Sequence, residues 1–160
     1  MNIPNRFRNL FGSQPPQDFT RLSPVRPKVR GMMLETEGGL RLPEPPWHRV
    51  ETALRQLDEG FGNSFASLAL GHANYVQTLR GVNGFHLEWR ITGDDLDEFL
   101  HYRGSDPGGA SNEVNLRKHD GWNDGQLRDL LTLDQVIEAF RSFFDREAPP
   151  RSLDWRTIEV

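Results

Sequence analysis

Residues Phe85 to Ile91 read FHLEWRI, with Phe85, Leu87, Trp89 and Ile91 alternating strictly with His86, Glu88 and Arg90. Successive side chains of a β-strand point to opposite faces, so this alternation specifies a half-buried strand. The four apolar groups are expected in a core, and the three polar groups are expected together on a solvent face.

The surrounding sequence extends that strand into a sheet. Upstream lie SFASLAL (64–70) and NYVQTLRG (74–81), separated from each other by residues 71–74 and from FHLEWRI by residues 81–84. Apolar alternation punctuated by Gly and Asn marks strands and turns. Loops this short force neighbours to pair antiparallel, as a meander. EFLHYR (98–103) is expected as the next strand, and SLDWRTIEV (152–160) as a last edge strand. KVRGMMLET (28–36) is a further edge candidate, weakened by Gly31.

Two helices are expected around the meander. Pro45 and Pro46 suit a helix start, after which Trp47, Val50, Ala53, Leu54 and Leu57 recur at helical spacing, to about Glu59. The second helix opens on Thr132, with Gln135 three residues later as a capping box and Leu131 placed to staple onto Val136. Its apolar stripe is Val136, Ile137, Phe140, Phe143 and Phe144, and Pro149 and Pro150 prevent continuation. The expected fold is therefore α+β, an antiparallel meander of about four or five strands flanked by two helices. Residues 1–46 are expected as a basic, proline-rich N-terminal arm and residues 47–160 as the folded domain. Ile3, Phe7, Leu10 and Phe11 within the arm could form a short amphipathic turn, too short for a stable isolated helix.

A chain of 160 residues is long enough for one core without disulfides or metal, and the absence of cysteine removes thiolate chemistry altogether. Neither a membrane span nor a secretory signal core is legible, which makes the cytoplasm the expected location and a membrane an unexpected partner. Charge is divided unevenly. Residues 1–30 hold six of the 19 basic residues and one of the 23 acidic ones, a tail at +5, while the remaining 13 bases and 22 acids give the body −9. Such a body repels nucleic acid and attracts a basic partner, although acidity also serves solubility.

Candidate chemistry is sparse. His86 and Glu88 share a strand face, and His101 on the next strand could join them as a metal or acid–base cluster, or simply as cross-strand polar pairing. His119, Asp120 and Trp122 lie in a long Gly-, Asn- and Asp-rich loop between Gly104 and Gly125. Ser105 and Ser111 stand in no nucleophile pattern, Gly108 and Gly109 match no phosphate loop, and DPGG reads as turn chemistry. Trp47, Trp89 and Trp122 suit core or loop anchors better than ligand stackers, and Trp155 is less clear. No cofactor is expected. Asp94, Asp95, Asp97 and Glu98 place four carboxylates in five residues without EF-hand spacing, so the loop is a solvated turn or the leading candidate for partner contact. His86, Glu88 and Arg90 form the second candidate contact.

The order helix, meander, helix, together with YVQT (75–78), HLEWR (86–90), HYR (101–103) and VIEAFRSFF (136–144), resembles small immunity proteins of bacterial polymorphic toxin systems, those paired with deaminase or nuclease toxins. The resemblance covers roughly Trp47 to Trp155. It implies a non-catalytic α+β domain that binds and blocks one cognate toxin, through a surface that varies with the toxin. An intracellular chaperone or adaptor for a secreted effector has the same acidity and compactness, and a small metal-dependent enzyme is a third reading. A neighbouring toxin gene favours immunity, a neighbouring effector that is harmless alone favours a chaperone, and metal retained through purification favours an enzyme.

Overall fold

The computed structural model describes residues 31–58, 62–71, 73–81, 83–92, 99–109 and 129–158. Among these residues seven strands form one open, wholly antiparallel sheet: β1 (Met32–Thr36), β2 (Arg41–Pro43), β3 (Phe65–Leu70), β4 (Asn74–Gly81), β5 (Gly84–Thr92), β6 (Phe99–Ser105) and β7 (Asp154–Thr157). Their spatial order is β2-β1-β3-β4-β5-β6-β7. Helices α1 (Trp47–Arg55) and α2 (Leu133–Phe144) pack on each other, and α2 crosses β3, β4 and β5.

The α+β class and the β3 to β6 meander match expectation, but the sheet holds seven strands rather than four or five. The strands beyond that number are β1, which falls within the KVRGMMLET candidate (28–36), and β2, which was not expected; both lie inside the segment expected as an arm, so the sheet begins upstream of residue 47. β1 is no edge, because β2 and β3 flank it. β1 pairs onto β3, and the three residues of β2, too few to display an alternation, pair onto β1. Gly39, at φ +86, makes the β1–β2 turn, with Thr36 N donating to Leu40 O at 3.0 Å. The outer strand is short, exposed at Arg41 and closed by Pro43, features that discourage further pairing. Residues 1–30 lie outside the described residues.

The core lies between the helices and the sheet face carrying Phe85, Leu87, Trp89 and Ile91, all at most 2% exposed. Trp89 is its centre: its ring meets Phe143 of α2 at 5.3 Å and Trp155 of β7 at 5.8 Å, both edge-on. Trp155 is thus a core residue, and its indole N–H donates to Pro150 O at 3.0 Å. Beside it a Cβ at Gly104 would stand 3.2 Å from Leu87 and 3.3 Å from the Trp155 ring, so this position takes no side chain without repacking.

The capping box at Thr132 and Gln135 is present, with Gln135 N donating to the threonine hydroxyl at 3.3 Å and Thr132 N to Gln135 Oε1 at 2.8 Å. Val136, Phe140 and Phe143 are buried as expected, with Ala139 beside them, while Ile137 and Phe144 are partly buried against the core. Leu131 also pairs as a lone bridge with Phe85, exchanging both backbone hydrogen bonds at 2.9 Å, which ties the start of α2 to β5. α1 ends at Arg55, short of the expected Glu59, although Leu57 beyond it is still buried. No helix among the described residues is long and apolar enough to cross a membrane.

Candidate functional site

The sheet face opposite the helices collects the polar halves of the alternating strands. Register aligns one residue from every strand into a single row: Arg41, Glu35, Ser67, Gln77, Glu88, Arg103 and Arg156. The row is exposed at one end, where Glu35 and Arg41 pair at 2.9 Å, and buried in its centre.

Glu88 is the hub of the buried part. Its Oε2 accepts from Gln77 Nε2 at 3.0 Å and lies 3.0 Å from His101 Nε2, while its Oε1 accepts from Arg103 Nη2 at 3.0 Å. One carboxylate therefore joins β4, β5 and β6. Burial alone would raise its pKa, but the bonds from His101 and Arg103, the nearby His101 charge and the Gln77 amide together hold the carboxyl below the usual glutamate range. Next in the row, Arg103 stands directly opposite Arg156, and like charges opposed across strands are unfavourable. Each arginine has its own carboxylate: Glu88 for Arg103, and the fully buried Asp129 for Arg156. Asp129 precedes α2, so the second ion pair fastens the approach to that helix onto β7.

This arrangement corrects the expectation of a solvent face at His86, Glu88 and Arg90. His86 and Glu88 are each 5% exposed, and their neighbours His101 and Arg103 are 7% exposed. In a strand with partners on both sides, long side chains of β4 and β6 wall in the groups between them. His86 is held neutral by burial and by the Arg103 cation, which lower its pKa against the smaller opposite pull of Asp129 and Glu88. Arg90 is half-buried. Its guanidinium lies 4.1 Å from the centre of the Phe99 ring, and its cross-strand neighbours are Tyr75 and His101, whose rings meet edge-on at 5.8 Å. Burial and Glu88 raise the Tyr75 phenol pKa, opposed by Arg90 and the Tyr75–Arg90 hydrogen bond.

Of the expected cluster, the structure brings His101 to Glu88 and sets His86 among Arg103, Asp129 and Glu88. Among the described residues no three His, Asp or Glu side chains are placed to hold a metal ion. An arginine bonded to the central carboxylate fits a charge-balanced tie between strands, and both oxygens of that carboxylate are engaged. Gln77 and Arg103 were legible as polar members of YVQT and HYR, but nothing local marked them as ligands of Glu88. Asp129 lies in no strand or α-helix, so no apolar alternation or helical stripe marks it.

The other candidates sort readily. Ser105 ends β6, buried, with its hydroxyl donating to Asp154 O at 3.3 Å. DPGG forms the expected turn, Asp106 accepting from the backbone of Gly108 at 2.9 Å and Gly109 at 3.0 Å. Trp47 is half-buried against Phe144, with ring centres 5.5 Å apart. Asp94, Asp95, Asp97 and Glu98 lie outside the described residues, as do Ser111, His119, Asp120 and Trp122. No protein-family model, curated protein or solved structure matches this chain.

Proposed function

We propose that this chain is a non-catalytic immunity protein that binds and neutralises a cognate bacterial toxin of the deaminase or nuclease class through its acidic exterior. The observation that carries the reading is how the negative charge is distributed. The buried carboxylates Glu88 and Asp129 are each matched by an arginine, so the −9 excess of residues 31–160 belongs to the other acids. Among them Glu35, Glu37, Glu44, Glu138 and Asp154 are exposed. A nuclease is basic where it grips phosphates, and an acidic domain is steered onto such a surface at rates up to about 10⁸–10⁹ M⁻¹s⁻¹ at low salt. The Glu88 network supports the same reading: a carboxylate and imidazole used to lock three strands leave a stiff sheet, which lowers the ordering cost of binding.

Asp94, Asp95, Asp97 and Glu98, between the ends of β5 and β6, are the proposed contact. Arg90 sits at the neighbouring end of the sheet, whereas burial withdraws His86 and Glu88 from direct contact. The test is co-expression with the toxin encoded by the neighbouring gene, followed by binding kinetics with the purified toxin at low and high salt. Reversing all four charges is expected to slow association and flatten its salt dependence while leaving the melting temperature unchanged. Full protection after the reversal would remove this connector from the contact, and no binding by the unaltered chain would sink the immunity reading itself.

A further inference from the structure

We draw no further inference here: the strongest candidate, the exposed Phe99 ring stacked on Arg90 beside Tyr75 at the β5–β6 end of the sheet face opposite the two helices, is a patch with no partner among the described residues, and nothing in the structure shows what covers it.

Discussion

Replacing Glu88 by alanine removes three bonds at 3.0 Å from a site 5% exposed and deprives Arg103 of its carboxylate. Removing one partner of a buried ion pair costs about 3–5 kcal/mol, because the remaining charge stays desolvated. A typical domain has only about 5–15 kcal/mol in total, so Glu88→Ala is expected to move the urea midpoint far down or unfold the chain at 37 °C. Replacing Glu88 and Arg103 together by leucine and methionine is expected to cost less than Glu88→Ala alone, since the charge goes with its partner. The coupling from the Glu88/Arg103 double-mutant cycle should fall within about 0.5–3 kcal/mol. Urea melts followed by tryptophan fluorescence report the transition, because Trp89 lies in the core on the other face of β5 and Trp155 of β7 packs against it. A loss below about 1 kcal/mol for Glu88→Ala, with no coupling to Arg103, would refute the account of this carboxylate as the tie between β4, β5 and β6.

The remaining predictions address the acid range, the core and the helix cap. Both His86 and Glu88 have lowered pKa values in the folded chain. Each therefore contributes stability that is present above its unfolded value, about 6.5 for histidine and about 4.3 for glutamate, and is lost as pH falls through the folded one. Stability should decline from about pH 6.5 downward, and His86→Gln should flatten the upper part of that decline; an unchanged slope in melts taken across this range would count against it. Leu87→Ala, at a fully buried position beside Gly104, should cost about 2–5 kcal/mol, and amide exchange in residues 85–91 should be among the slowest in the chain. Exchange there as fast as in exposed turns would contradict a central strand. Thr132→Ala should cost about 0.5–2 kcal/mol by removing the capping hydroxyl, and Thr132→Ser should restore most of it; equal melts for all three proteins would show that α2 is held by packing alone.

Features fixed by nearest neighbours were legible in the sequence. The alternation of 85–91 identified β5 and its core face, and the capping box located the start of α2, because strand pleat and helix termini act over two to four residues. The meander followed from loops too short for any other connection. β1 was legible only as an edge candidate, and its place inside the sheet was not, because β2, three residues with little periodic signal, becomes a strand only by pairing with β1.

The site divides along the same line. Period-two alternation places His86, Glu88 and Arg90 on one face, but whether that face is wet depends on what stands opposite, and alternation within one strand does not contain this. Only register puts Gln77 and Arg103 directly beside Glu88, sets His101 one step along, and opposes Arg103 to Arg156. A shift of one residue in β6 would turn its polar set toward the core. By itself, then, the sequence determined an antiparallel α+β domain with an acidic body. The tertiary structure decided that its polar strand face is a buried, charge-balanced network, because cross-strand distances of a few ångströms join residues 11 to 27 positions apart in the chain.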